Sequence, residues 1–283
     1  METLYKDIQM NIQMLIENTS SSPSLESEHG LSIYVETENH KILFDTGASN
    51  SFLNNSQKMG VPISDIDIAV ISHGHYDHGG GLLGFLHRNS TAPVYIRENA
   101  FGDYYSFSVE GGERYIGLDK NILKYPQILL TQGYTLIDDE LELFSNVEGS
   151  KFQPSGNKQL LEKKDHKLKE DKFGHEQNLI IHEGDKTVLM AGCAHRGIAN
   201  IMEHFYRLNK SYPTHVIGGF HLYNRSKDKD ESPEEVYALG EYLKSKATIY
   251  YTCHCTGTRN FTLLKEQLGE QINYLSTGSQ LTL

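Results

Sequence analysis

The chain contains no run of about 18 apolar residues, so a membrane-spanning helix is not expected. Met1 to Asn18 holds Lys6 and Asp7 and no continuous apolar core before a small-residue cleavage site, so a signal peptide is not expected either. Cysteine is scarce: Cys193, Cys253 and Cys255 are too few for a disulfide framework, and the cytoplasm is the expected compartment. Basic charge is also short. Lys and Arg total 26 against 37 Asp and Glu, a net charge of −11. Such a surface suits neither nucleic acid nor an acidic membrane, which favour a basic face.

What remains is an ordinary globular composition, 38% hydrophobic and 10% aromatic over 283 residues. Layered α/β folds often reach this length as one unit. With no repeat and no clear linker, residues 1–283 are expected to form a single domain. Ile8, Met10, Ile12, Met14 and Ile16 alternate at period two and predict an opening strand. Leu31 to Glu36 and Lys41 to Asp45 predict paired strands, and Ile66 to Ile71 a buried strand ending at Ser72. Gly79 to His87 is expected to begin a helix.

From Asn99 to Glu176 the strand pattern weakens. This region is expected to be a variable insertion that partly covers the substrate entrance, with Lys158 to Lys172 a solvated helix, a mobile loop or a lid. Its aromatic residues Phe101, Tyr104, Tyr105 and Phe107 fit a pocket wall, a local core or a contact between copies, which leaves a homo-oligomer open. Beyond it, Thr187 to Met190, Val216-Ile217 and Thr248 to Thr252 predict strands. Ile198, Ile201, Met202, Phe205 and Leu208 share one helical face. Ser232-Pro233-Glu234-Glu235 carries a serine cap, a first-turn proline and a reciprocal glutamate.

The chemistry is concentrated in His73-Gly74-His75-Tyr76-Asp77-His78. Metals of the zinc type need neutral imidazoles and carboxylates converging from rigid backbone, and this segment supplies four such groups directly after a predicted buried strand. Where a strand ends in a turn, His73 and His75 can share one metal, with Asp77 and His78 pointing to a second position. His195 and His254 also stand just past predicted strands, at one rim of a sheet where ligands gather. Alone each would read as structural; beside the first cluster both read as ligands.

Cys193 reads equally as a thiolate ligand or a small buried residue, and Cys253 and Cys255 are weak evidence for a structural zinc site. His221, after Gly218-Gly219, reads equally as a pocket residue contacting substrate or as a packing residue. Asp45 is expected to orient a ligand or a loop. Thr256-Gly257-Thr258, ahead of a helix near Asn260, reads equally as an anion site for a substrate phosphate, with Arg259 adding charge, or as a threonine cap of that helix.

With Asp45-Thr46-Gly47, the His73–His78 motif, His195 and His254 in this order, the sequence resembles the metallo-β-lactamase superfamily. His29-Gly30-Leu31-Ser32, Gly192-Cys193-Ala194-His195, Gly218-Gly219-Phe220-His221-Leu222 and His254-Cys255-Thr256-Gly257 resemble its dihydropteroate-synthase-like branch, named for an archaeal enzyme of methanopterin synthesis. The resemblance implies an α/β (α+β) fold, a four-layer αββα sandwich with metal at the edge between two sheets. It also implies hydrolase-like chemistry. Oxygen-reducing diiron members usually carry glutamate where His75 stands, so redox function is not expected.

The bridging aspartate of many two-metal members has no counterpart here, because the corresponding strand ends Gly192-Cys193. A third histidine ligand is usual before that strand, where this chain reads Phe173-Gly174-His175-Glu176; His175 or Glu176 could contribute. The expected function is therefore a zinc-dependent hydrolase with one or two ions, manganese or iron being alternatives. It would cleave an ester, phosphoester or related bond of a small anionic molecule through a metal-bound hydroxide. His73, His75 and His195 would hold one ion and Asp77, His78 and His254 the other, with Asp77 also orienting the attacking water. Competing readings are a transferase joining a pterin diphosphate to an aminobenzene ribosyl phosphate, a nuclease, and a non-enzymatic metal or ligand sensor.

Overall fold

In the computed structural model, which describes residues 9–108 and 111–283, the strand Ile68–Ile71 is buried on both faces. Ile68 and Val70 enter one apolar layer and Ala69 and Ile71 another, as period-two alternation requires. Lys186–Ala191 is split the same way, with Val188 and Met190 in the shared layer and Leu189 and Ala191 outside it.

Two seven-stranded sheets result. The first runs Gln280–Thr282, Asn11–Ile16, Ser32–Glu36, Lys41–Phe44, Ile68–Ile71, Val94–Arg97, Ile128–Thr131. The second runs Ile272–Tyr274, Ile249–Thr252, His215–Gly218, Lys186–Ala191, Gln177–Glu183, Leu141–Ser145, Tyr134–Leu136. Their facing sides share one apolar layer that includes Met10, Ile12, Val70, Met190 and Ile217. Helices Ser51–Met59 and Leu82–Arg88 cover the outside of the first sheet. Ile198–Asn209, Pro233–Lys244 and Thr258–Leu268 cover the outside of the second. This is the expected four-layer αββα sandwich. Among the described residues, no helix is long and apolar enough to cross a membrane.

The topology positions the site. Lys41–Phe44, Ile68–Ile71 and Val94–Arg97 run parallel, as do Lys186–Ala191, His215–Gly218 and Ile249–Thr252. Parallel strands bring their C-terminal ends to one rim, where loops can carry side chains toward a shared point.

Several local expectations change. Met10, Ile12 and Met14 face the shared layer, but the register shifts after Met14 and places Leu15 and Ile16 in the outer one. Ile8 lies outside the described residues. The helix expected from Gly79 is two pieces, Tyr76–Gly79 and Leu82–Arg88. Ser232 does cap its helix by accepting from the Glu235 N–H, but its own N–H donates to Glu231, not to Glu235.

The charged stretch is neither helix nor mobile loop. Leu160–Lys164 and Lys167–Glu170 form an antiparallel hairpin. Its turn residues Asp165 and His166 have φ of 52° and 60°, both left-handed, as a tight two-residue hairpin turn demands. The hairpin joins Tyr104–Ser108 and Gly112–Tyr115 in a small four-stranded sheet. Residues 99–176 are not one insertion, because Ile128–Thr131 and Leu141–Ser145 belong to the two main sheets.

Candidate metal centre

Asp45 and His73 follow neighbouring parallel strands of the first sheet, and His195, His221 and His254 follow three neighbouring parallel strands of the second. Asp45, Ala194, His221 and His254 have φ between 50° and 61°. Left-handed backbone is costly for non-glycine residues, and four cases at one rim mark sharp turns that aim side chains inward. Gly192 serves close approach, since a Cβ there would run into the Ser72 side chain.

Two donor sets emerge. His73 Nε2 lies 3.1 Å from His75 Nδ1 and 3.3 Å from His195 Nε2. Tetrahedral ligands at metal–nitrogen distances of about 2.0–2.1 Å stand about 3.3 Å apart, so this spacing fits one ion. Asp77 Oδ2 lies 3.8 Å from His78 Nε2 and 3.4 Å from His254 Nε2. Cys193 Sγ is 3.1 Å from His78 Nε2. The thiol falls within donor range of both sets, with His73 and His195 on one side and Asp77, His78 and His254 on the other. It occupies the place between them that sequence reasoning left open.

Four of the five imidazoles are held from behind, while His75 Nε2 has no hydrogen-bond partner among the described residues. Asp45 Oδ2 is 2.6 Å from His78 Nδ1, and Asp45 also accepts from the Ser72 N–H and hydroxyl, both at 2.7 Å. Ser72 Oγ in turn lies 2.9 Å from His73 Nδ1. Asn157 Oδ1 is 3.2 Å from His195 Nδ1, and Asn18 Oδ1 is 2.8 Å from His254 Nδ1. His75 turns Nε2 toward Asp171, 3.9 Å away, and Asp171 also binds His175 at 2.9 Å. Such partners fix tautomer and ring direction.

The donor chemistry fits a divalent ion. Burial pulls His73, His75 and His195 below the usual imidazole range, which keeps them neutral as ligation requires. Burial opposes ionisation of Asp77, but His78, His254 and His29 together hold its carboxyl well below the usual range. Burial also works against a charged His78, yet Asp45 and Asp77 raise it to about 9. Burial pushes the Cys193 thiol up, so ligation must displace its proton. His254 Nε2 is buried with no hydrogen-bond partner among the described residues. A lone buried donor or acceptor is costly, and an ion between Asp77 and His254 would satisfy it.

A cavity of about 310 Å³ opens onto these groups and is lined by His29, His75, Asp77, Cys193, His195, His221 and His254. His29 Nε2 lies 3.2 Å from Asp77 Oδ2. His221 reaches the cavity with its ring 4.2 Å from that of His195 and its Nδ1 without a hydrogen-bond partner among the described residues. Tyr104–Ser108, Gly112–Tyr115 and the loop before Leu160 supply much of the outer wall.

Other expected roles change. Glu176 is buried but accepts from the backbone N–H groups of His195 and Arg196, so it fixes the ligand loop and does not reach the metal positions. The anion cradle at Thr256-Gly257 is not formed. Thr256 is fully buried, its hydroxyl accepting from the Phe220 N–H and bonded to Thr252, and neither Thr256 nor Gly257 lines the cavity. Arg259 pairs with Asp230. Cys253 stands in no metal-like group among the described residues. Asp171, Asn157 and Asn18 were missed, since a lone carboxylate or amide in a polar loop carries no spacing signal.

A family model described as the metallo-beta-lactamase superfamily matches residues 27–240. An uncharacterised protein of Methanocaldococcus jannaschii is 29% identical over 260 residues, spanning 90% of this chain and 94% of that one. The 7,8-dihydropterin-6-methyl-4-(beta-D-ribofuranosyl)-aminobenzene-5'-phosphate synthase of the same organism is 28% identical over 272 residues, 89% of each chain. The crystal structure of Tm1679, described as a metal-dependent hydrolase of the beta-lactamase superfamily, is 31% identical with a TM-score of 0.80, covering 96% of this chain and 98% of that one.

Proposed function

The chain belongs to the metallo-β-lactamase superfamily, and from that premise we propose that it is a two-metal hydrolase of an ester, phosphoester or related bond in a small anionic molecule. The observation that carries this reading is the pair of donor sets converging on Cys193 at the floor of an open cavity. His73, His75 and His195 hold one ion and Asp77, His78 and His254 the other, zinc suiting the nitrogen, oxygen and sulfur donors. When bound, such ions supply a hydroxide nucleophile near neutral pH and polarise the bond under attack. Asp77, bonded to His29, is placed to hold the proton of the attacking water. His221 offers a ring nitrogen to the substrate from the opposite wall. Tyr104–Ser108, Gly112–Tyr115 and the loop before Leu160 narrow the entrance.

The synthase similarity favours a second reading, condensation of a pterin diphosphate with an aminobenzene ribosyl phosphate, in which the same ions bind a diphosphate leaving group. Metal analysis of the purified protein, with product analysis on phosphoester, ester and lactone substrates and on the pterin and aminobenzene pair, separates the two. The hydrolase reading predicts about two ions per chain and cleavage of at least one substrate class, lost in Asp77→Asn. A condensed product without hydrolysis contradicts it.

A further inference from the structure

The outer half of the cavity has a charge opposite to that of the whole chain. Net charge is −11, yet among the described lining residues the sole carboxylate is Asp77 at the metal floor, while Arg114 and Arg225 stand at the mouth. Neither arginine makes an ion pair with any described residue. Both gather on Tyr76, which lies in sequence between the ligands His75 and Asp77. The Arg225 guanidinium is 3.4 Å from the Tyr76 hydroxyl, and that of Arg114 lies 5.0 Å from the ring centre.

This juxtaposition is built by the fold. Arg114 is the cross-strand partner of Ser106. The Ser106 hydroxyl is 2.6 Å from that of Ser226, the residue after Arg225. One serine–serine contact thus ties the small sheet to the turn Arg225–Lys227 and brings both guanidinium groups to Tyr76, Arg114 at its ring and Arg225 at its hydroxyl.

Guanidinium forks bind oxyanions bidentately, and paired forks with nearby hydroxyls suit the many acceptor atoms of a phosphate better than a single planar carboxylate. We propose that Arg114 and Arg225, with Ser106 and Ser226, form a subsite for a second phosphate group of the substrate, held at the mouth of the cavity whose floor carries the candidate metal donors. The proposal rests on the hydrolase reading for what happens at the floor. It makes the substrate a molecule with two anionic groups, one at each end of the cavity.

The test uses zinc-loaded protein and non-hydrolysable probes, so that it reads binding whether or not hydrolysis is found. Alkylphosphonates and α,ω-alkanediphosphonates of matched chain length are titrated by calorimetry. The diphosphonate should bind at least about tenfold more tightly at one chain length, a gain within the range of charge-assisted bonds. Arg114→Gln/Arg225→Gln should abolish that gain, and Arg→Lys at both positions should restore part of it. Lys227→Gln/Lys229→Gln, which removes the same two charges outside the cavity, should retain it. No gain at any length, or a gain that survives in the double glutamine variant, overturns the subsite. An equal gain from a distal carboxylate overturns its assignment to phosphate.

Discussion

Replacing Asp45 with asparagine alters charge with almost no change in volume. Asp45 has no exposed surface and accepts three short bonds, from the Ser72 N–H, the Ser72 hydroxyl and His78 Nδ1. An amide oxygen can keep the bond from the Ser72 N–H, but its NH2 then faces two groups that need an acceptor. Hydrogen bonds to a charged partner contribute about 1.5–3 kcal/mol each, so losing two amounts to about 3–6 kcal/mol if nothing relaxes. Rotation of Ser72 and His78 relieves part of this, and loss of such a partner lowers metal affinity by about 10–100-fold. The His78 position should fall by that factor. The His73 position, touched only through Ser72, should fall less. Competition titration against a chromophoric chelator measures both, with circular dichroism to confirm folding. Two affinities unchanged within about twofold in a folded Asp45→Asn protein would refute the reasoning.

His254→Gln should lose about one ion per chain by mass spectrometry of the intact protein and keep the other, whereas Cys193→Ala should weaken both. Shortening the hairpin by joining Leu160 to Glu170 should raise KM more than it lowers kcat, because it unpairs Tyr104 and Tyr105 of the strand whose Ser106 and Ser108 line the cavity and leaves every metal donor in place. In the metal-free protein, burial pulls His73, His75 and His195 below 6.5, so the unfolded chain binds more protons there and stability rises with pH up to about 6.5. His78 acts in the opposite sense: it is raised to about 9, so the folded chain binds more protons between about 6.5 and 9 and stability falls across that window. Thermal midpoints against pH should peak near 6.5, and His78→Gln should flatten the upper limb.

The strand-end histidines were legible because a short β-branched run followed by a turn residue and an imidazole carries both the scaffold and the ligand in one stretch. The αββα layering came from the family resemblance; strand runs alone supported only layered α and β. Cys193 could not be decided from sequence, since a buried cysteine and a thiolate ligand look alike until His78 and His195 are seen on either side of it. The expected anion cradle at Thr256-Gly257 is not formed, and neither residue lines the cavity. Thr256 follows His254, but its hydroxyl is consumed by Phe220 and Thr252. The arginines that face the cavity lie on Gly112–Tyr115 and Arg225–Lys227, which meet only through tertiary packing. The charged hairpin misled for a related reason: its strands are largely exposed, so no apolar alternation reveals them.

Cys193 would donate its sulfur where the two donor sets meet. X-ray absorption at the zinc edge of the zinc-loaded protein tests it most directly. The account predicts a sulfur scatterer at about 2.3 Å beside nitrogen and oxygen scatterers at about 2.0–2.1 Å, with two zinc ions per chain and the sulfur signal absent in Cys193→Ser. A fully loaded centre with only nitrogen and oxygen neighbours would contradict it.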